Sequence, residues 1–224
     1  MLTLYYARPS LYSRPVWIAL LEKQLPVELI PVKMDGSQYE AEFTQISPFS
    51  HIPVLIDDGL RVIESSAILD YLEAKYPHPS LMPADAETIA KVRMVQSVAM
   101  SELLPAVAGL IIYARKPQEL EYCTQRTHVV LTFFEELLEN SFFGGENLSL
   151  ADIVAGTLVP MLPKLDVSLA NYFKVNDWTQ RLLSRESWQQ IQLSVEEWNS
   201  FERHLGTFVK VWQKRRRQFL QART

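Results

Sequence analysis

The spacing of apolar residues changes character once along this chain. Over the first 76 residues, short apolar runs switch between strand-like and helical rhythm. Leu2–Tyr6 and Val27–Val32 read as strands, and the solid run Val16–Leu21 between them reads as a helix. Pro15 stands just before that run, and proline is tolerated in a first helical turn, where no intrahelical donor is needed. Residues 36–47 are polar and read as irregular or helical. Val54–Ile56 and Leu60–Ile63 flank Asp57-Asp58-Gly59, a hairpin signal. Ala67, Ile68, Tyr71 and Leu72 then recur at helical spacing. The order is β-α-β, a connection, then β-β-α. The first unit predicts a right-handed crossover between parallel strands, the second a hairpin with a closing helix.

Residues 77–87, PHPSLMPADAE, hold three prolines and no long apolar run, a linker signature. Beyond them strand signals fade, and 88–114, 119–140, 150–163 and 173–185 read as helices. The expectation is an α/β domain over 1–76, a linker over 77–87 and an all-helical domain over 88–224. Ser149-Leu150-Ala151-Asp152 is a capping box, with Leu148 and Ile153 where a hydrophobic staple would sit. That helix start should nucleate the second domain's core. Near the end, Trp198, Phe201, Leu205, Phe208 and Trp212 follow 3-4-3-4 spacing, Arg215 interrupts, and Phe219 resumes the seam. Packing on the body of the protein is the expected use; dimer contact and a lid over a ligand are the others.

At 224 residues, with 48% apolar and 21% charged positions, the chain is long enough to bury a sizeable core. Its net charge of −4 argues against nucleic-acid binding over the whole surface. Lys214, Arg215, Arg216, Arg217 and Arg223 make the tail basic. The reading favoured is a solvated helix end whose cations suit the helix dipole, over an RNA- or lipid-binding tail. The lone Cys123 forbids an internal disulfide and suits a reducing compartment. One cysteine cannot build a zinc site, and His51, His78, His128 and His204 form no H-E-x-x-H. No metal is expected. The seven glycines build no phosphate cradle of the G-x-G-x-x-G type. No charged leader precedes an apolar stretch. The longest apolar run, Leu103–Ala114, is twelve residues broken by Pro105 and Gly109, too short to span a bilayer. The chain reads as a cytoplasmic protein with no membrane partner.

Three segments carry candidate chemistry. Tyr5–Val16 sets the hydroxyls of Tyr6, Ser10, Tyr12 and Ser13 beside a helix N-terminus, which offers free amides and partial positive charge. An anion such as a thiolate is stabilised there. The structural alternative is that Ser10 or Ser13 merely caps the helix. In Ser47–Leu55, Pro53 stands at the first position of a strand. A cis peptide there would turn the backbone groups of Ile52 outward, free to pair with an extended peptide; the alternative is an ordinary proline at a strand start. In Glu64-Ser65-Ser66-Ala67-Ile68, a carboxylate and a hydroxyl meet a first helical turn. Read together they hold both charges of an amino-acid head: Glu64 the ammonium, Ser65 and the helix amides the carboxylate. Read singly they are a helix cap.

In this order the segments resemble the soluble glutathione transferases. The pieces are Tyr6-x-x-x-Ser10-x-x-Ser13-Arg14-x-Val16, SPFSHIPVL at 47–55, ESSAI at 64–68, the proline-rich linker, LSLADI at 148–153 and RLLSRESW at 181–188. The resemblance covers about residues 1–190. It implies the glutathione transferase fold: an α/β thioredoxin-like N-terminal domain that binds glutathione, and an all-α C-terminal helical domain. It implies a cytosolic homodimer of the serine-type, theta- and phi-like classes, and admits a bacterial source. By position it assigns Ser10, then Tyr6, then Ser13 to activation of the glutathione thiol. It assigns the backbone of Ile52 with cis-Pro53 to the cysteinyl part, Glu64 and Ser65 to the γ-glutamyl end, and His51 to the glycyl carboxylate or the site's lining.

Two departures stand out. The basic residues that phi-like members carry near the second helix are replaced here by Gln38 and Tyr39, and Cys123 lies outside the loop where cysteine-type members place theirs. The function implied is transfer of alkyl or aryl groups to glutathione as co-substrate, in detoxification of hydrophobic electrophiles. The second substrate would sit between the domains, against the stretch Met100–Tyr113. The alternatives are a glutathione-dependent isomerase or peroxidase, and a non-catalytic assembly module.

Overall fold

The computed structural model describes residues 1–33, 37–39, 41–203 and 205. Strand β1 (Leu2–Tyr6) feeds helix α1 (Ser13–Glu22), which returns to β2 (Val27–Pro31). After a 3₁₀ turn at Ser37–Tyr39 come α2 (Ala41–Ile46), the hairpin β3 (Val54–Asp57) and β4 (Leu60–Ile63), and α3 (Ser65–Lys75). The sheet order is β2-β1-β3-β4, with β1 parallel to β2 and antiparallel to β3. Asp58 and Gly59 both have positive φ, 47° and 88°, the backbone that a two-residue hairpin demands and Asp-Gly supplies. Alternation along β1 sorts the layers. Leu2 and Leu4 bury against α1 and α3, whereas Tyr5 meets Phe43 of α2 on the other face.

The helical lobe opens with α4 (Ala86–Val98), capped by Asp85, whose carboxylate accepts from the Thr88 amide at 2.9 Å. It runs through five π-helical residues, Ala99–Leu103, into α5 (Leu104–Ile112). Pro105 explains the change of winding: it has no N–H for the preceding turn, and its ring pushes that turn's carbonyl aside. The continuous helix 86–112 is long and apolar enough, by length and composition, to cross a bilayer, which the broken twelve-residue run did not suggest. Half of its most apolar window is buried, with α6 (Pro117–Leu137) packed on α5 and α7 (Leu150–Ala155) on α4. Gly109 lets α6 approach: a Cβ there would stand 2.3 Å from Cys123 Sγ.

All of α7 is buried. Ser149 and Asp152 form the expected capping box, and Asp152 also accepts from the Phe143 amide at 3.0 Å and Trp178 Nε1 at 2.9 Å. The helix ends at Ala155 rather than running on to 163. Pro160 and Pro163 remove amide donors, and Val159–Leu165 winds as 3₁₀. Helices α8 (Phe173–Leu183) and α9 (Glu186–Gln190) follow, and 195–203 is helical. Trp198, Phe201 and Leu205 pack on the core, so the described part of the seam is used for packing. Phe208, Trp212, Arg215, Phe219 and the basic tail lie outside the described residues, as does His204. The lobes are pinned by Glu22 at the end of α1. Its carboxylate takes Arg185 Nε at 2.9 Å and Nη2 at 2.6 Å, and Ser187 Oγ donates to it as well.

Candidate active site

The loop from β1 to α1 turns on Ser10. Its N–H donates to the Ala7 carbonyl at 2.9 Å, and its own carbonyl accepts from the Ser13 and Arg14 amides at 3.2 and 3.1 Å. Ser10 Oγ also accepts from the Ser13 amide, at 3.2 Å. Pro15 has no amide to offer. The opening turn of α1 is therefore less open than its sequence implies: the Ser13 and Arg14 donors are used inside the loop, and what faces outward there is the dipole. The Ser10 hydroxyl, half-buried, accepts on one side and donates to no atom among the described residues. It holds the first amide of α1 and, among the described residues, keeps an unpaired O–H.

The other two hydroxyls stand differently. Ser13 is wholly buried and its Oγ has no hydrogen-bond partner among the described residues. A side chain so enclosed does not reach a ligand in the loop, because the first turn of α1 faces the core here, and Ser13 is set aside as the thiol-activating group. Tyr6 is half-buried on the core side of β1, its ring edge-on to Trp17 at 5.1 Å. Tyr12, at the N-cap of α1, has its phenol pKa raised by burial and by the nearby Glu64 carboxylate. That carboxylate links the loop to the start of α3.

The second segment is tied by Ser47, a residue the sequence reading left without a role. Ser47 Oγ donates to the His51 carbonyl at 2.8 Å and accepts from the His51 amide at 2.9 Å, closing a tight loop through Ser50 at φ 56°. The polar pair Ser47…His51 around Pro48 was the available signal. The Ile52–Pro53 peptide is cis, and Ile52 lies just outside the β1/β3 ladder, which starts at Val54. His51 is exposed, with Nδ1 3.8 Å from Glu64 Oε1. The third segment adjoins it. Glu64 precedes α3 at φ 68°, ψ 122°, a strained conformation for a residue with a Cβ, and its carboxylate is open to solvent. Ser65, the first residue of α3, is buried and leads the free amides of that helix. The fold thus brings His51 and Glu64 together, with the loop of Ser10 and Tyr12 alongside.

A cavity of about 620 Å³ opens away from the sheet lobe. It lies within the helical lobe, among Ser101, Pro105, Ala106, Tyr113, Tyr122 and Cys123. The expectation of a second-substrate pocket against Met100–Tyr113 meets only part of its lining there, and no residue of the sheet lobe. Among the described residues no cluster of three or more His, Cys, Asp or Glu is placed to hold a metal ion.

Residues 4–80 match the family model described as glutathione S-transferase, N-terminal domain, and residues 72–186 that of its C-terminal domain. The chain is 29% identical over 192 residues to maleylacetoacetate isomerase of Rattus norvegicus, covering 82% of this chain and 88% of that protein. It is 35% identical over 162 residues to a zeta-class glutathione S-transferase of Euphorbia esula, covering 68% and 72%. A glutathione transferase homolog from Sulfitobacter, solved with bound glutathione, superposes with a TM-score of 0.75 at 26% identity, over 85% of this chain and 96% of that one.

Proposed function

From the premise that the chain belongs to the glutathione S-transferase family, whose co-substrate is glutathione, we propose that it holds that thiol as a thiolate against Ser10 and presents it to an electrophilic carbon. One observation carries the reading: Ser10 Oγ is oriented by the Ser13 amide and, among the described residues, its O–H has no partner. A free thiol, pKa about 8.5, is only a few per cent ionised at neutrality. One charge-assisted hydrogen bond of about 1.5–3 kcal/mol lowers that pKa by roughly one to two units. The dipole of α1 adds about 0.3–1 kcal/mol. Together they make the thiolate the major form near neutral pH, so the site is of serine type, with Tyr6 an accessory at most.

The rest of the tripeptide follows the sheet edge. Glu64 takes the ammonium, Ser65 and the first amides of α3 take the γ-glutamyl carboxylate, Ile52 pairs its backbone with the cysteinyl unit, and His51 lines the glycyl end. The sheet lobe over 1–76 is the glutathione-binding domain and 88–224 the helical one. We also infer a homodimer. Phe49, 63% exposed beside the site, and an apolar groove along α4 and α6 lined by Met94, Val98 and Phe133 are surfaces a second copy would cover.

Two fates of the bound thiolate fit the site. In transfer, sulfur bonds to carbon and a leaving group departs. In isomerisation, sulfur adds to a conjugated double bond, rotation follows, and sulfur leaves again without net consumption of glutathione. The likeness to a maleylacetoacetate isomerase and to a zeta-class protein favours the second fate and a zeta-like rather than theta- or phi-like placement. Calorimetry with millimolar glutathione tests the shared premise, and absence of uptake by folded protein overturns it. Turnover of a chlorodinitrobenzene against cis–trans conversion of a conjugated enone then separates the fates.

A further inference from the structure

The chain beyond α9 returns to the loop that carries Ser10. Arg185 and Ser187 hold Glu22 at the far end of α1, and the residues that follow meet Arg8 at the near end. Arg8 Nη2 donates to the Gln190 and Gln192 carbonyls at 3.0 and 2.8 Å, on either side of the fully buried Ile191. Its Nε stands 3.1 Å from Glu197 Oε1, an ion pair without hydrogen-bond alignment, and its guanidinium lies 5.3 Å from the Trp17 ring centre. Glu197 has a second task. Its Oε2 accepts from the Ser194 amide at 2.8 Å, while Ser194 Oγ accepts from the Glu197 amide at 3.2 Å, a capping box at the start of helix 195–203. One carboxylate thus caps that helix and holds the arginine of the loop. Residues 190–197 lie beyond 186, where the likeness to the family's C-terminal domain ends.

Arg8 also sits in the turn that delivers Ser10. The Ser10 amide donates to the Ala7 carbonyl at 2.9 Å, so Ala7-Arg8-Pro9-Ser10 is a β-turn with Arg8 second and Pro9 third. Proline in third place is not favoured in the commonest turn type, because it restricts the residue before it. Local preference therefore does not fix this turn. Strand β1 holds it on one side, and the oxygens and indole around Arg8 hold it on the other. Both grips on the arginine are firmly seated: Trp17 is buried in α1, and Trp198 and Phe201 pack helix 195–203 on the core.

We propose that Arg8 is a positioning residue: by fastening the Ala7–Ser10 turn to residues 190–197, it sets the Ser10 hydroxyl against the bound thiol. The proposal rests on the glutathione reading above and adds to it a stretch of chain outside the matched domains. Arg8 acts through the turn and needs no contact with sulfur. A hydrogen bond weakens steeply as its angle closes, so a small displacement of the turn is enough to blunt it. Glu64 and Ser65, on another segment, keep their hold on the tripeptide.

The test is a double-mutant cycle on Arg8→Met and Ser10→Ala, read by ultraviolet titration of the thiolate in the glutathione complex and by kcat and KM with a chlorodinitrobenzene. In Arg8→Met the bound thiol's pKa should rise by about one unit and kcat near pH 6.5 should fall roughly tenfold, while KM for glutathione stays within about threefold. On the Ser10→Ala background the same change should alter either reading by less than about twofold, because the hydroxyl it positions is gone. Arg8→Lys, which keeps the charge and one donor, should recover part of the loss. The cycle separates position from charge, since loss of a nearby cation raises the thiol pKa in both backgrounds. Equal effects in both backgrounds, or a wild-type titration in Arg8→Met, overturn the proposal. The titration needs no turnover, so it applies to either fate of the thiolate. If Arg8→Met does not fold, Glu197→Lys takes its place. It sets a like charge against the guanidinium, and its own charge would lower the thiol pKa, so a rise that vanishes on the Ser10→Ala background marks the displaced turn; no rise overturns the proposal. Failure of wild type to take up glutathione, or a wild-type titration in Ser10→Ala alone, brings down the glutathione reading itself and the positioning role with it.

Discussion

Replacing Ser10 with alanine is the sharpest test of the thiolate reading. Two things are lost at once: the O–H that would donate to sulfur, and the acceptor that holds the Ser13 amide at 3.2 Å. The first loss, about 1.5–3 kcal/mol, raises the bound thiol's pKa by roughly one to two units. The second costs about 0.5–2 kcal/mol of stability, as for other capping residues. The two read out separately. A bound thiol with a depressed pKa is ionised above that value and loses its charge as pH falls through it. The variant's pH–rate profile should therefore move to higher pH by the same one to two units. At about pH 6.5 the rate falls some ten- to hundredfold, while near pH 9 the two profiles meet within a few fold. Ultraviolet titration of the thiolate in the glutathione complex measures the shift directly, and thermal melts measure the capping loss. Ser10→Thr, which keeps donor and acceptor, should move neither by much. A thiolate titration unchanged in Ser10→Ala would refute the assignment and transfer the role to Tyr6.

Glu64→Gly should be more stable than Glu64→Ala by about 1 kcal/mol, because glycine relieves the φ of 68° that alanine must keep. Both should lose glutathione affinity by calorimetry, and equal melting temperatures would dismiss the strain. Burial alone would raise the Glu22 pKa, but the bonds from Arg185 and Ser187 outweigh it and hold the carboxyl low. Its contribution is thus present above the ordinary carboxylate value of 4.5 and lost as pH falls through the lowered one. Glu22→Gln should flatten the acid limb of melting temperature against pH; an unaltered limb would show that other carboxylates carry it. Asp152→Ala strands the Ser149 and Phe143 amides and Trp178 Nε1 in the core. The expected cost is on the order of 4 kcal/mol by urea unfolding, and a loss below about 1 kcal/mol would mean water replaces the carboxylate.

What the sequence disclosed was local. The Asp58-Gly59 turn, the capping box at Ser149 and Asp152, and the switch from strand to helical spacing each rest on neighbours a few residues apart, and each is found in place. The windings at Ala99–Leu103 and Val159–Leu165 were hidden because the apolar pattern continues through Pro105, Pro160 and Pro163, while the proline cost appears only in the backbone donors removed. The candidate site was half legible. Ser10 and Ser13 are chemically equivalent in the sequence, and what separates them is packing: Ser13 opens α1 against the core. The arginines were illegible for a similar reason. Arg8 is held by Gln190, Gln192 and Glu197, far away along the chain, and the burial of Arg14 at 8% exposure has no local signature.

The same hydrogen bond from Ser10 bears differently on the two proposed fates, which gives a test that rate alone does not. A thiolate of lower pKa is more abundant but intrinsically less nucleophilic, with a Brønsted slope of about 0.4–0.5. It is also the better leaving group. Above the pKa of both proteins abundance no longer differs, and only these intrinsic effects remain. Raising the bound thiol's pKa by about one unit in Ser10→Ala should then speed formation of the C–S bond roughly threefold. Expulsion of sulfur from an adduct should slow instead, because the departing thiolate has lost its donor. If the protein is chiefly a transferase, Ser10→Ala is slightly faster than wild type at high pH, since its slow step makes the bond to sulfur. If it is an isomerase limited by release of the rearranged adduct, Ser10→Ala is slower at every pH. Parallel profiles for a chlorodinitrobenzene and a conjugated enone, with no crossing in either, would mean that Ser10 neither makes nor frees the nucleophile.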